Sequence, residues 1–268
     1  MLRNNILVIL LFSVWIILAV VFGIYDLDIS KQLVNQNSAW AKFLQDYGMI
    51  PGLLIIFSGI YTYYSSIKSE TDTWSIIKKI IFILVSIGLV FYLFDILFDN
   101  IASSHILTFS IISLAINFSI FIFIHIKRQI KNIFTIKFAK VVVGVAFWGY
   151  VICIQVVKYF WGRVRFRELD TTFSQFTPWY LPQGITGFDS FPSGHAAMAW
   201  ILLPLLILFT NKKDWIKYLV FFLIFSWSVV LVLSRVVIGA HFASDVLFGS
   251  FFIIAVFLLF QKYYSTKT

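Results

Sequence analysis

The stretch SFPSGHAAMAW, residues 190–200, places the polar residues Ser193, Gly194 and His195 at the start of a long apolar run. Polar groups cost free energy in apolar surroundings, so this triplet either begins a helix or takes part in chemistry. Ser193 is a favourable helix N-cap, and Gly194 allows a ligand to approach the backbone closely. The free N–H groups and the dipole at a helix N-terminus attract anions. The stretch therefore predicts a helix start that can also bind an anion.

The composition around this stretch is typical of an integral membrane protein. Of the 268 residues, 60% are hydrophobic and only 12% are charged, and the mean hydropathy is +0.93. A soluble domain carries about 25% charged residues, so the composition argues against that class. The single cysteine, Cys153, excludes an internal disulfide and a cysteine-based metal site.

Apolar runs along the chain predict an all-α fold with about eight transmembrane helices. A helix needs about 20 apolar residues to cross the hydrocarbon core. The runs near this length are 5–25, 49–66, 79–98, 104–126, 139–160, 196–211, 216–234 and 244–261. No repeat or soluble segment interrupts them, so residues 1–268 are interpreted as a single membrane domain.

The distribution of basic residues predicts that both termini are cytoplasmic, an N-in/C-in arrangement. In this orientation 14 of the 21 Lys and Arg residues fall in cytoplasmic segments and seven fall on the outer side. Basic residues favour cytoplasmic loops. The net charge of +9 is therefore mainly a consequence of membrane topology, and it does not indicate a nucleic-acid partner.

Two segments on the predicted outer side are more than connectors. Residues 27–47 have an amphipathic pattern, and we expect them to lie along the membrane interface. Residues 161–192 are more polar and contain Trp and Tyr, which prefer the headgroup level. We expect this second segment to fold over the membrane surface.

A cluster of basic residues on the outer side opposes the general charge bias. Lys158, Arg163, Arg165 and Arg167 crowd around one helix end in KYFWGRVRFRELD, and Arg235 lies at the outer end of another span. A bound anion would offset the cost of burying such charges. Arg163 and Arg167 are equally consistent with side chains that snorkel to lipid headgroups.

Two histidines, His195 and His241, are predicted on the same outer side, each beside a helix terminus. Asp245 follows His241 at i+4, a spacing that brings a carboxylate within reach of an imidazole on a helix. A carboxylate that accepts from one ring nitrogen fixes the tautomer and leaves the other nitrogen free. Cations, a helix N-terminus and two histidines suit phosphoryl transfer. One histidine can attack phosphorus to form a covalent phosphohistidine, and the other can protonate the leaving alkoxide and then activate water.

Three segments of this sequence resemble the signature of the type 2 phosphatidic acid phosphatase (PAP2) superfamily. That signature is Lys-x6-Arg-Pro, then Pro-Ser-Gly-His, then Ser-Arg-x5-His-x3-Asp. Here the segments are KYFWGRVRF (158–166), PSGH (192–195) and SRVVIGAHFASD (234–245). The resemblance covers residues 139–261 and leaves residues 1–138 as N-terminal helices of unassigned role. Phe166 stands where proline is usual, so we expect a change in loop geometry or substrate preference and not in the reaction.

The resemblance implies a role for each matched residue. His241 would be the nucleophile, Asp245 would orient it, and His195 would be the general acid and then the general base. The residues that would bind the phosphate oxygens are Lys158, Arg165, Ser193, Gly194 and Arg235. The resemblance implies no metal and no cofactor. The eight predicted spans exceed the six usual in membrane members, and two extra N-terminal helices explain the difference.

The leading hypothesis is a lipid phosphatase of the cell membrane whose active site faces the extracellular or periplasmic side. Candidate substrates are phosphatidic acid, phosphatidylglycerol phosphate, undecaprenyl diphosphate and phosphorylated lipid A. A lipid phosphotransferase that uses the same site is the near alternative. A transporter of a phosphorylated lipid is the alternative from another class, although it would need neither a paired His241 and Asp245 nor a second histidine. The sequence indicates no particular oligomeric state.

Overall fold

The computed structural model describes residues 2–66, 73–97, 111–112, 115–116, 119 and 132–265. Within these ranges the chain is helical and contains no β-strand, which confirms the all-α prediction. The elements are α1 (Leu2–Leu33), α2 (Ala39–Tyr47), α3 (Ile50–Ser66), α4 (Thr73–Leu97), α5 (Ile133–Gly144), a π-helical segment (Val145–Val156), α6 (Val157–Trp161), a 3-10 turn (Phe166–Glu168), α7 (Gly194–Trp200), α8 (Leu205–Leu208), α9 (Asp214–Val237) and α10 (Ala243–Ser265).

Six helices in the described ranges are long and apolar enough to cross a membrane. They are Val8–Leu33, Ala39–Ser66, Thr73–Leu93, Ile133–Glu168, Asp214–Val237 and Ala243–Tyr264. The chain is therefore a multi-pass membrane protein. The apolar helix Gly194–Leu208 is shorter, and a turn at residues 201–204 separates α7 from α8 within it. The predicted span 104–126 falls mostly on residues outside the described ranges, so the count of eight spans stays a prediction.

The segment 27–47, predicted to lie along the interface, is divided in the structure. Helix α1 continues to Leu33, and α2 begins at Ala39 after a short turn. Ala41 of α2 is buried against the residues that follow α9, and Leu44 is buried against Leu231 of α9. The amphipathic pattern thus gives α2 an apolar face that packs on the protein.

Helix α7, which begins in the PSGH stretch, is buried between α9 and α10. Ala196, Ala197 and Ala199 are fully buried, and their small side chains let the neighbouring helices approach closely. On the facing side, a Cβ at Gly249 of α10 would lie only 2.4 Å from the carbonyl oxygen of Ser193. Glycine is therefore required at position 249, and it holds the start of α7 against α10.

Helix α1 packs along α10 through aromatic rings. Trp15 stacks on Phe251 with ring centroids 4.1 Å apart, and Phe12 meets the same ring edge-on at 5.0 Å. Closer to the end of α1, the indole N–H of Trp179 donates to the carbonyl oxygen of Ala19 over 2.9 Å. These contacts bring the last turns of α1 to the end of the bundle where α10 begins.

One end of the bundle collects the ends of α1, α6 and α9 and the starts of α2, α7 and α10. The backbone N–H of Asn35 donates to the carbonyl oxygen of Val237 over 2.7 Å. The backbone N–H of Ser193 donates to the carbonyl oxygen of Asp245 over 2.9 Å. The loop 162–193 lies on the same end, since Ser190 N–H donates to the carbonyl oxygen of Arg163 and Arg167 N–H to that of Gly239. The three motif segments therefore meet at one end of the fold.

Candidate active site

Ser193 caps helix α7, as the sequence predicts. Its backbone is extended (φ −73°, ψ 119°), and its side-chain oxygen accepts a hydrogen bond from Ala196 N–H over 3.3 Å. The helix then begins at Gly194, so His195 stands in its first turn. The cap satisfies one of the free N–H groups of this helix start and leaves others for a ligand.

His241 is held with one ring nitrogen committed to the protein. It is 3% exposed, and its Nδ1 lies 2.7 Å from the carbonyl oxygen of Ser190. A carbonyl can only accept, so Nδ1 carries the proton and Nε2 keeps its lone pair. Burial lowers the pKa of His241 to about 4, and the neighbouring Asp245 opposes this shift only in part. The imidazole is therefore neutral at ordinary pH, as a nucleophile must be.

Asp245 acts on His241 mainly through the backbone around it. Its Oδ2 lies 3.8 Å from His241 Nδ1, beyond hydrogen-bond distance. The same oxygen accepts from the hydroxyl of Ser190 over 2.5 Å and from Phe242 N–H over 2.9 Å. Asp245 thus fixes Ser190, whose carbonyl oxygen accepts from His241. The predicted direct hydrogen bond from imidazole to carboxylate is replaced by this one-residue relay.

His195 uses a ring nitrogen in a contact that the sequence did not indicate. Its Nε2 lies 3.0 Å from the carbonyl oxygen of Gln45, in α2. Because that oxygen accepts, Nε2 carries the proton and Nδ1 is the nitrogen left for a substrate. A residue from the N-terminal part of the chain therefore orients the predicted general acid.

Lys158 and Arg165 meet at the exposed side of the site on a shared carboxylate. Asp189 Oδ1 lies 2.5 Å from Arg165 Nη2, and Asp189 Oδ2 lies 3.7 Å from Lys158 Nζ. Glu168 adds a second contact to Arg165, at 3.3 Å. The Asp189 side chain is 46% exposed. Both predicted phosphate ligands thus hold an anionic group at the rim of the site.

Arg235 stands apart from the other cations because its charge is buried without a matching acceptor. It is 3% exposed, and its Nε and Nη1 have no hydrogen-bond partner in the part of the chain that the structure describes. A buried donor without an acceptor costs about 1–3 kcal/mol, and more when it is charged. An anion with several oxygens would satisfy both donors.

Arg163 is a site residue whose role the sequence left open, and the structure rules out snorkelling for it. It is 1% exposed, and its guanidinium pairs with two carboxylates, Asp26 at 3.0 Å and Asp245 at 2.5 Å. The ring of Phe242 lies 4.1 Å from its central carbon. The sequence signal that points to Asp26 is a carboxylate near the end of the apolar helix α1, since acids in such helices are functional candidates.

Arg167 links the loop 162–193 to α2, in the N-terminal part of the chain, at the rim of the site. Its Nη1 donates to the side-chain oxygen of Gln45 over 2.8 Å. Gln45 therefore contacts Arg167 through its side chain and His195 through its backbone. Helix α2 closes this side of the site.

Phe166, which stands where the motif usually has proline, follows a residue whose conformation is compatible with either residue. Arg165 before it is extended (φ −75°, ψ 150°), the conformation that a following proline would also favour. The Phe166 ring stacks on Phe173 at 5.7 Å and meets Phe242 edge-on at 6.1 Å. Ring packing therefore holds the segment where proline would stiffen it.

Among the described residues, no group of three or more His, Cys, Asp or Glu side chains could hold a metal ion. The assembled groups are instead a neutral histidine with a free nitrogen, a second histidine at a helix start and three cations. His241 lies within electrostatic range of Lys158 and Arg235. Such a set can position a phosphoryl group and stabilise its charge during transfer.

Comparison with protein families supports the resemblance for the part of the chain that contains the three motif segments. Residues 137–268 match the model of the PAP2 superfamily, close to the expected 139–261. Neither the comparison with curated proteins nor the comparison with solved structures found a match. With its three motif segments joined in one site, the chain belongs through residues 137–268 to the PAP2 superfamily, a family of phosphatase-type hydrolases.

Proposed function

We propose that this protein removes phosphate from a membrane lipid phosphate or diphosphate without a metal, through a phosphohistidine on His241. The observation that carries the proposal is the fixed tautomer of His241. Its Nδ1 donates to Ser190, so the Nε2 lone pair is available in a buried site, where two donors of Arg235 also have no acceptor among the described residues. Free imidazole nitrogen and unmatched cationic donors are what attack on phosphorus requires.

The reaction proceeds in two steps. First, His241 Nε2 attacks phosphorus and the bond from phosphorus to the lipid oxygen breaks. His195 acts in this step in its doubly protonated form: Nε2–H stays on Gln45, and the Nδ1 proton passes to the leaving alkoxide. Second, His195 removes a proton from water, which attacks phosphorus and breaks the P–N bond. The Ser190 carbonyl oxygen stabilises the positive imidazole of the intermediate, and Lys158 and Arg165 bind the phosphate oxygens.

A lipid substrate fits the surroundings of the site. Helices long and apolar enough to cross a membrane adjoin the motif segments: Ile133–Glu168 contains the first, and the third joins the end of Asp214–Val237 to the start of Ala243–Tyr264. The PSGH stretch begins the shorter apolar helix. A lipid could therefore keep its tail in the bilayer while its phosphate enters the end of the bundle. The substrate classes are phosphatidic acid, phosphatidylglycerol phosphate, undecaprenyl diphosphate and lipid A phosphates.

The test is phosphate release by the purified protein in EDTA from one substrate of each class. We expect release by the wild type and none by His241→Ala, with an unchanged thermal melt for the variant. Normal hydrolysis by His241→Ala would exclude this nucleophile. Transfer of labelled phosphate to a lipid hydroxyl, with no release to water, would replace the phosphatase by a phosphotransferase. The absence of both reactions would favour a transporter.

A second experiment separates the two histidines. With an aryl phosphate, whose leaving group needs no proton, His195→Ala should still form phosphohistidine but should hydrolyse it slowly. We therefore expect an acid-labile, base-stable phosphoprotein to accumulate in His195→Ala and to be absent in His241→Ala. Accumulation in neither variant, together with an active wild type, would contradict the covalent mechanism.

We also propose that the site faces the outer side of the cell membrane, with the N- and C-termini in the cytoplasm. The excess of basic residues in the opposite loops supports this orientation. In a Cys153→Ser background, Gln175→Cys in the loop 162–193 should react with an impermeant thiol reagent added to intact cells. Lys212→Cys, in the exposed turn between α8 and α9, should react only after lysis. The reverse pattern would invert the orientation.

A further inference from the structure

Asp26 is a fully buried carboxylate near the end of α1, far in sequence from the motif segments. Its exposed fraction is 0%, and it lies in the apolar segment Val8–Leu33. A buried carboxylate is tolerated when it is paired and hydrogen-bonded. Its partners therefore show what the residue is for.

All of the hydrogen bonds that the structure gives the Asp26 carboxylate lead to the site. Oδ1 accepts from the backbone N–H of Ser244 over 2.9 Å, and Oδ2 accepts from the Ser244 hydroxyl. Oδ2 also accepts from Arg163 Nη2 over 3.0 Å. Ser244 is the second residue of α10, so Asp26 satisfies a free N–H at the start of the helix that carries Asp245.

Arg163 connects Asp26 to the relay that holds His241. Its Nη1 donates to Asp245 Oδ1 over 2.5 Å and to the Ser244 hydroxyl over 2.8 Å. Its Nε donates to the carbonyl oxygen of Thr177 over 2.8 Å. Asp26, Arg163, Ser244 and Asp245, the buried network, thus end at the carboxylate that fixes Ser190, whose carbonyl oxygen accepts from His241.

We propose that Asp26 is a positioning residue for the reaction, so that α1 is part of the catalytic apparatus. This inference rests on the proposed function of the site. By holding Arg163 and Ser244, Asp26 fixes Asp245 and, through Ser190, the direction in which the Nε2 lone pair of His241 points. Asp26 does not contact the substrate, so its loss should slow the attack on phosphorus without weakening substrate binding.

The test compares Asp26→Asn with Asp28→Asn, an exposed carboxylate two residues further along α1. Loss of a residue that orients a metal ligand typically costs about 10–100-fold in activity, and we expect kcat to fall by a similar factor in Asp26→Asn, because Asp26 orients His241. KM should change less than about threefold, because the phosphate ligands are intact. The rate of phosphohistidine formation should fall with kcat, and Asp28→Asn should match the wild type in both quantities.

Two further variants keep the test decisive if Asp26→Asn is poorly folded. Asp26→Glu retains the charge, and it should recover part of the lost kcat. Ser244→Ala removes one hydroxyl from the buried network without leaving a charge unpaired, and it should lower kcat several-fold at constant KM. An Asp26→Asn variant with the kcat of Asp28→Asn would overturn the inference. So would variants of Asp26 and Ser244 that lose thermal stability but keep kcat. An inactive wild type would instead refute the proposed function.

Discussion

The buried network and the phosphate-facing cations, Lys158, Arg165 and Arg235, differ in whether the protein supplies acceptors for their donors. Arg163 belongs to the first group and Arg165 to the second, although they are only two residues apart. Arg163 donates to Thr177, Ser244, Asp245 and Asp26, and it is 1% exposed. Among the phosphate-facing cations, Arg165 Nε at the rim and two nitrogens of the buried Arg235 have no acceptor in the described part of the chain. A cation whose donors are matched by protein groups stabilises the fold. A cation with unmatched donors is placed for an anion that the chain does not supply.

The largest expected effect is a loss of stability when the buried network loses Arg163. Arg163→Met removes the cation that pairs with Asp26 and Asp245, and it leaves two buried carboxylates facing each other. Breaking a buried pair from one side costs about 3–5 kcal/mol, so the free energy of unfolding should fall by about that amount. Thermal denaturation in detergent measures the change. A melting temperature equal to that of the wild type would show that the buried network does not stabilise the fold.

The matched variant among the phosphate-facing cations is Arg235→Ala, which should reduce activity and not stability. Removing one preorganised donor for transition-state charge lowers the rate about 10²–10³-fold. Because the guanidinium has unmatched buried donors, the melting temperature should stay the same or rise. Steady-state kcat/KM and thermal denaturation of one preparation check both points. A large loss of stability would show that Arg235, like Arg163, mainly stabilises the fold.

The titration of His241, which lies between the buried network and the phosphate-facing cations, tests whether its imidazole is shielded from water. Burial lowers its pKa from the ordinary value to about 4. Between about pH 6.5 and pH 4 the unfolded chain therefore binds more protons at this residue, so stability should fall as the pH falls through that window. The other three histidines of the chain are His105, His125 and His195. In a variant with glutamine at all three positions, the signal of labelled histidine comes from His241 alone, and its NMR titration should have a midpoint near 4. A midpoint at or above the ordinary value would contradict burial of the imidazole.

The smallest expected effect concerns the carboxylate that already occupies the rim. Asp189 contacts Lys158 and Arg165 and is 46% exposed, so its interaction is worth about 1 kcal/mol or less. Asp189→Asn should release Lys158, leave Arg165 with Glu168 as its remaining carboxylate, and lower the inhibition constant of inorganic phosphate up to about fivefold. Asp170→Asn, an exposed carboxylate bonded to Thr172 and Ser174, is the control and should change nothing. Weaker inhibition in Asp189→Asn would show that Asp189 helps to bind phosphate.

The motif spacings predicted the parts of the site that are local in sequence. The cap at Ser193 and the common location of Lys158, Arg165, Arg235 and His241 follow from helix starts and ends, which composition and spacing indicate. The contacts of Asp26 with Arg163 and Ser244 span 137 and 218 residues, and no local pattern encodes such a distance. The relay through Ser190 was equally hidden, because a backbone carbonyl oxygen leaves no trace in the sequence.

The prediction of the fold from sequence was limited in the same way, as the segment 27–47 shows. Hydropathy found the long apolar helices because each one carries apolar residues over about the length that crosses a membrane. It could not separate α1 from α2 within residues 27–47, where the apolar face of α2 packs on α9 and not on lipid. The role of α2 at His195 was also unpredictable, since it depends on the carbonyl oxygen of Gln45.

The position of Asp26 in the first helix has a consequence for biosynthesis. This carboxylate enters the membrane early during translation, and the residues that pair with it are synthesised 137 and 218 positions later. Until α10 has been inserted, Asp26 lacks Ser244 and Arg163 lacks Asp245. Nascent chains that stop before Arg163 therefore carry Asp26 in α1 without the cation that pairs with it in the finished protein.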